Sequence, residues 1–428
     1  TAVLGKDGNY RTTSYDFALP DGGRWSAQTR SFMGALARWQ RHRQVAVDQM
    51  VVVGTSTSMW RSLEELLEDD DAADERVYEL LGQVEARSHK DGVNAELLEA
   101  LCQAISRKLP YTLVPCLIQW CDNTQEQLAL VETLARHVPT GSKLVMDVTH
   151  GFRHLPLIAV AVGSYLEQAR ECAIEHVYYG MYRPESASAP VVDMAGMLRI
   201  MHAARSIAAF NQRGSLSPVA RAFKHQVPEL DAAAFFFDTF QTAPAKESSQ
   251  RALDAVQRSK DPLVKVARSE LDKTLQWAAQ RRKPHQRQLE MARTARRGQD
   301  YQGTCAMLFE SIITAAVYAH RSAPHQGHQA DPHAFNVRKE AQKALETHLR
   351  QTHPTDAKQF DLLRHLRNAM AHGTRPDGSR RRSQTRVTAR DVQSVLSSRQ
   401  HMEHTLDELI AWAENLIASL QSGAVGPF

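Results

Sequence analysis

Cysteine is scarce in this chain: five residues, Cys102, Cys116, Cys121, Cys172 and Cys305, with no CxxC pair and no disulfide-framework spacing. That excludes a disulfide-stapled secreted scaffold and favours a reducing compartment. Aromatic residues make up only 7%, and no run approaches 18 apolar residues, so no membrane-spanning helix is expected. The opening Thr1–Gly5 lacks a charged region followed by an apolar one, which predicts a cytoplasmic protein without a membrane partner. A Rossmann GxGxxG fingerprint is missing from the first loop, and there is no Walker A GxxxxGK[ST] anywhere. What is present is ordinary: 428 residues, 43% hydrophobic and 23% charged, enough for two or three domains and at least one sizeable core. Collagen, coiled-coil and disordered classes are excluded.

The net charge of +4 conceals a polarity. Residues 281–428 hold 22 basic and 14 acidic side chains and 11 of the 19 His, whereas residues 1–280 hold 30 basic and 34 acidic. A basic final third points to an anionic partner, nucleic acid first.

Apolar runs at 2–4, 50–53, 112–118, 143–148 and 174–179 alternate with helical patterns near 27–43, 61–83, 94–109, 123–138 and 155–170. Strand–helix alternation with near-continuous apolar strands predicts a parallel, doubly wound α/β sheet. Asn94 and Asn123 are start signals, the latter with Glu126 three residues on, an Asn-started variant of the capping box. Residues 10–26 read as an inserted hairpin around Pro20-Asp21-Gly22-Gly23. From about 190 onward the pattern is helical only: 195–212, 219–227, 250–282, 285–297, 301–320, 334–351, 356–372 and 388–420. The expected organisation is an α/β sensor domain over 1–185, a helical linker region over 186–285 and an all-α domain over 286–428.

In open parallel sheets ligands bind beyond the carboxyl ends of the strands. Three loops there are rich in donors: Gly5, Lys6, Asn9 and Tyr10; Gly54, Thr55 and Ser56 ahead of Met59-Trp60; and Thr149, His150, Gly151, Phe152 and Arg153. Such a cleft suits a phosphate-bearing ligand, with Lys6, His150 and Arg153 supplying charge. Met59 and Trp60 read as core, and Asp147 as a residue that orients its loop. His150 and His154 have metal-ligand spacing, but Gly151 between them and the missing third ligand argue against a metal site.

These loops resemble CRISPR-associated CARF-domain proteins, above all Asp147-Val148-Thr149-His150-Gly151-Phe152-Arg153, which resembles a D-x-T-H-G-[FL]-R loop. The resemblance spans about the first 180 residues. It implies a Rossmann-like sensor domain that dimerises and binds a cyclic oligoadenylate in a two-fold cleft, with the tetra-adenylate ring favoured over the hexa-adenylate. Degradation of that activator by the same domain is a further possibility the resemblance raises.

In the basic third, Arg367-Asn368-Ala369-Met370-Ala371-His372-Gly373 closes a helix expected to stop at Gly373. Arg170…His176, Arg321…His328 and Arg399…His404 have comparable spacing in poorer contexts, the last being the one serious rival, mid-helix on a polar stretch. Five helical positions place Arg367 and His372 about 140° apart, a difficulty that a site shared across a dimer axis would remove. The motif resembles the R-x4-6-H signature of HEPN ribonucleases, with helix 301–320 as its packing partner and Glu310 as an orienting carboxylate. The resemblance implies metal-independent cleavage of single-stranded RNA by attack of its own 2′-hydroxyl, leaving 2′,3′-cyclic phosphate ends. His372 would act as base or proton shuttle, Arg367 stabilise the phosphorane and Asn368 position the phosphate or His372. Arg375, Arg380, Arg381 and Arg382 would hold the RNA backbone. The expected protein is a homodimer, with higher oligomers open, activated by cyclic oligoadenylate and needing no cofactor. Its rival is a non-catalytic sensor that contacts RNA as a scaffold.

Overall fold

The fold was obtained as a computed structural model, which describes residues 2–3, 12–67, 74–183, 185–279, 282–321, 334–373 and 387–423. Two compact units divide the chain, Thr1–Leu198 and Arg199–Phe428.

The first unit is α/β. Its strands are β1 (Ala2–Val3), β2 (Thr13–Ala18), β3 (Arg24–Thr29), β4 (Gln49–Gly54), β5 (Thr112–Leu117), β6 (Lys143–Asp147), β7 (Ala173–Gly180) and β8 (Ser188–Asp193). They form one sheet in the order β3-β2-β8-β7-β6-β1-β4-β5. β5, β4, β1, β6 and β7 run parallel, as their short apolar runs require. Pro115 lies in β5, an edge strand, where its missing N–H leaves no broken ladder bond. The expected inserted hairpin forms as β2–β3, with Leu19 N donating to the carbonyl of Gly23 at 2.9 Å. It joins the sheet through β8, which pairs parallel to β2 and antiparallel to β7.

Helices α1 (Phe32–His42), α2 (Glu75–Ser88), α3 (Ala95–Ser106), α4 (Thr124–His137) and α5 (His154–Ala169), with a 3-10 segment at Trp60–Leu66, cover the sheet. Two capping signals act as read: Asn94 Oδ1 accepts from Leu97 N at 3.1 Å and Asn123 Oδ1 from Glu126 N at 3.0 Å. The Glu126 carboxylate, however, takes the N–H of Cys121 rather than that of Asn123, reaching back one loop further than a capping box. The pattern over 61–83 breaks into the 3-10 segment and α2, and β3 claims the start of the first expected helix. β8, beyond the expected boundary at 185, is a strand the apolar-run criterion passed over, because Ser188 and Pro190 dilute it.

The boundary between the units falls inside α6 (Ala195–Arg213). The second unit continues with α7 (Ser217–Phe223), α8 (Glu229–Asp238), α9 (Thr242–Arg258), α10 (Pro262–Ala279), α11 (Pro284–Arg297), α12 (Tyr301–Arg321), α13 (Phe335–Thr352), α14 (Pro354–His372), α15 (Ala389–Leu396) and α16 (Arg399–Ser422). It is entirely helical among the described residues. One core runs from Ala203 to Leu420, so residues expected as a separate linker pack with the helices that follow them. α12 is central, burying Cys305, Leu308, Phe309, Ile312, Ile313 and Ala316. No helix among the described residues is long and apolar enough to cross a membrane.

Candidate functional sites

In the first unit the sheet changes winding direction at β1, which lies between β4 and β6. Ala2 of β1 is in register with Asp147, the last residue of β6. The crevice beyond these strand ends is where a doubly wound sheet takes its ligand.

Asp147 is buried, and its Oδ1 accepts from Thr149 N at 2.8 Å. The Thr149 hydroxyl in turn accepts from Gly180 N at 2.8 Å, and His150 Nε2 accepts from Phe32 N, the first amide of α1, at 3.0 Å. Gly151 stands at φ +98°, a conformation that side chains rarely adopt, and it turns the chain outward. Loop 147–153 is therefore clamped at three points to β6, β7 and α1, with its outer residues Phe152 and Arg153 exposed. Asp147 orients its loop as the sequence suggested.

The reading of His150 as a charged group needs correction. Burial pushes its imidazole down to about 4, and an Nε2 that accepts a backbone N–H belongs to a neutral ring. His154 turns elsewhere, its Nε2 lying 2.8 Å from the Trp120 carbonyl oxygen, so the two His are not brought onto one ion. Among the described residues no group of three His, Cys, Asp or Glu is placed to hold a metal. Arg153 is the loop's remaining cation and makes no ion pair or hydrogen bond among the described residues.

The loop after β4 is inward-looking. Thr55 is buried, its N–H donating to Ser58 Oγ at 2.9 Å, and its carbonyl accepts from Trp60 Nε1 at 2.9 Å. Trp60 is wholly buried, as the core reading expected. A β-carbon on Gly54 would come within 2.8 Å of Trp60 Cζ2, so this glycine serves close packing. Ser56 accepts from Val93 N through its carbonyl at 2.8 Å and lies against Gly92. Gly5, Lys6, Asn9 and Tyr10 fall outside the described residues.

Burial also pushes the Asp147 carboxyl up to about 6 from 3.8. The folded state then holds this proton more tightly than the unfolded chain, so between about pH 4 and 6 stability falls as pH rises, by up to about 3 kcal/mol. Asp147→Asn keeps the acceptor for Thr149 N and removes the titration. Thermal melts across pH 4–7 are expected to lose this slope in the variant; an unchanged slope would place the titration elsewhere.

Sequence reasoning missed Trp120, in the loop between β5 and α4. Its ring lies 5.3 Å from that of Phe152, and both are exposed. The same region of α5 is free of charge from Leu155 to Leu166, yet Leu157 and Tyr165 on its outer side are 71% and 58% exposed.

In the second unit α14 begins at Pro354 and ends at Gly373, whose φ of +60° closes the helix as expected. Arg364 joins it to α13 through Glu346 at 3.1 Å, and Asp356 joins it to α16 through Trp412 Nε1 at 3.0 Å. Arg367 lies over the ring of buried Phe309 on α12, 4.1 Å from its centroid. Its Nη2 also donates to Asn368 Oδ1 at 3.0 Å. Arg367, Asn368 and α12 are thus brought together, while His372 is exposed and stands apart in this single chain. Glu310 does not orient them: it is bonded to Arg338 of α13, whose Nη1 also donates to Thr314 at 3.1 Å.

The rival spacings dissolve. Arg170 donates to the Val138 carbonyl at 3.0 Å while His176 meets Asp193 at 2.7 Å. Arg399 opens α16 rather than lying mid-helix, and His404 faces Glu408 at 3.3 Å. His328 of the third pair lies outside the described residues, as do Arg375, Arg380, Arg381 and Arg382. None of the cysteines is a candidate nucleophile: all five are buried, and burial pushes Cys102, Cys116 and Cys305 up to about 12.

Residues 1–181 match the family described as CRISPR system endoribonuclease Csx1, CARF domain. The CRISPR-associated protein MJ1674 of Methanocaldococcus jannaschii is 24% identical over 202 residues, 44% of this chain and 32% of that protein. The chain therefore spans about a third of the length of this curated relative. Among solved structures, Enterococcus italicus Csm6 bound to cyclic hexa-2′-fluoro-hexa-dAMP aligns over 98% of this chain and 93% of that one, at 11% identity and a TM-score of 0.28. A likeness at that level carries no residue-by-residue correspondence.

Proposed function

We propose that this chain, which carries a CARF domain over residues 1–181, is an endoribonuclease of CRISPR defence switched on by a cyclic oligoadenylate. The observation that carries the reading is one of order. The CARF match ends at residue 181, one strand short of the helical unit, and in that unit Arg367 lies on Phe309 of α12 and bonds Asn368 in a helix that closes with His372 and Gly373.

The sensor site is the crevice beyond β1, β4 and β6. Exposed Arg153 supplies charge to a phosphate, and the clamped Thr149–Gly151 turn fixes where that charge stands. The active assembly is a homodimer. The uncharged, exposed Leu157 and Tyr165 side of α5 supports this, since a contiguous apolar face beside a ligand loop is a surface made to be covered. Pairing two α14 helices across a two-fold axis supplies what one helix lacks, because Arg367 and His372 point about 140° apart.

In the reaction the substrate's 2′-hydroxyl attacks the adjacent phosphorus. His372 handles the proton, Arg367 neutralises charge gathering on the phosphorane oxygens and Asn368 fixes the guanidinium through the bond already present. The products are a 2′,3′-cyclic phosphate and a 5′-hydroxyl, and no metal takes part. The Arg-rich segment 375–382 holds the RNA backbone. The ring is cyclic tetra-adenylate in preference to hexa-adenylate.

A panel of cyclic oligoadenylates added to labelled RNA in EDTA tests all of this. Cleavage is expected only with a messenger present, to survive EDTA and to stop when the scissile nucleotide is 2′-deoxy. Binding of the messenger with no cleavage under any condition would favour the scaffold reading instead.

A further inference from the structure

The loop between β5 and α4 is built in a way its sequence does not announce. Cys121 stands at φ +56°, in the left-handed region that a β-carbon disfavours. It is held there from three sides: the side chain is buried, its N–H donates to Glu126 Oε2 at 2.9 Å, and its carbonyl accepts from Gln127 Nε2 at 3.1 Å. The residue displayed by this pinned turn is Trp120. Its carbonyl is fixed by His154 Nε2 at 2.8 Å, yet its side chain is 37% exposed, whereas Trp39, Trp60 and Trp277 are buried.

Phe152, 38% exposed, stands beside it with ring centroids 5.3 Å apart and planes at 53°. The next residue is Arg153, the loop's uncommitted cation. Two half-open rings thus lie together at the carboxyl ends of β5 and β6, with exposed Arg153 next in the chain. A strained residue held by hydrogen bonds next to a half-exposed indole points to a surface with a use.

We propose that Trp120 and Phe152 form a stacking platform for one base of the oligoadenylate, with Arg153 taking the adjoining phosphate. This rests on the sensor reading above and deepens it by naming Trp120 as the residue that sets activator affinity. Aromatic faces hold bases by stacking, and a guanidinium beside them holds the connecting phosphate with paired N–H donors. An adenine, with its wide π-face, is the occupant that uses all three groups.

The test is calorimetric titration of the full chain with cyclic tetra-adenylate and cyclic hexa-adenylate, with oligomeric state followed by light scattering. Trp120→Ala is expected to weaken the ring that the wild type binds by about tenfold or more, and Trp120→Phe by no more than roughly threefold, at unchanged oligomeric state. Equal affinity of the wild type and Trp120→Ala would overturn the platform while leaving the sensor reading intact. Loss of affinity only together with dissociation of the assembly would also overturn it, making Trp120 an interface residue. A wild type that binds neither ring would overturn the sensor reading and the platform with it.

Discussion

Replacing His372 with alanine is expected to reduce RNA cleavage by about 10²- to 10⁴-fold, the scale of a lost proton-transfer group, while the affinity for cyclic oligoadenylate stays at the wild-type value. The physical case is specific. His372 sits in the last turn of α14, exposed, one residue before the left-handed Gly373 that ends the helix. Truncating an exposed side chain there removes no core contact, so the thermal melt should not move by more than about 0.5 kcal/mol. Single-turnover cleavage at saturating activator, measured beside the melt, separates chemistry from folding. Cleavage retained within a few-fold would remove His372 from the reaction.

Arg367→Ala should be nearly as damaging to cleavage, about 10²- to 10³-fold, and unlike His372→Ala it should also destabilise the protein. The guanidinium is stacked on buried Phe309 and hydrogen-bonded to Asn368, so its removal costs on the order of 0.5–2 kcal/mol. Arg367→Lys is expected to restore little of either. An ammonium cannot lie flat on the ring while donating in a fork. The check is the kinetic defect and the melting shift of both variants. Full activity in Arg367→Lys would mean that bare positive charge suffices and that the Phe309 platform is incidental.

How far the sequence reached differs from element to element. The parallel strands announced themselves, because a strand covered on both faces must be apolar throughout, and the hairpin announced itself through its Pro-Asp-Gly-Gly turn. α8 escaped because Ala232–Phe237 is a continuous apolar run with no helical period, despite Pro228 before it, and Ser188–Asp193 escaped because its pairing with β2 and β7, rather than its composition, makes it a strand.

At the sites the failures share one cause, partners distant in the chain. Glu310 looked available to orient the motif until Arg338, 28 residues on, occupied it. His150 looked like a cation until the amide of Phe32, 118 residues earlier, made it an acceptor. Trp120 carried no sequence signal, since its ring meets Phe152 and its carbonyl meets His154, 32 and 34 residues further on. The Asp147 loop was legible because its contacts begin within two residues, at Thr149 N.

The β2–β3 hairpin has a consequence for how the chain assembles. It closes locally, a microsecond event, but the strand it docks on is β8, and the hydrogen bond from Ser188 to Asp16 spans 172 residues. At ribosomal rates the hairpin waits on the order of ten seconds with its β8-facing edge unpaired. During that interval Phe17 and Trp25 can bury their rings only against each other and Trp39 of α1, which follows at once in sequence. The hairpin and α1 are thus fitted to act as an early-forming unit whose aromatic face is covered while the β2 edge waits for β8, and amide exchange on nascent chains released before and after residue 193 would register the docking as late protection of β2.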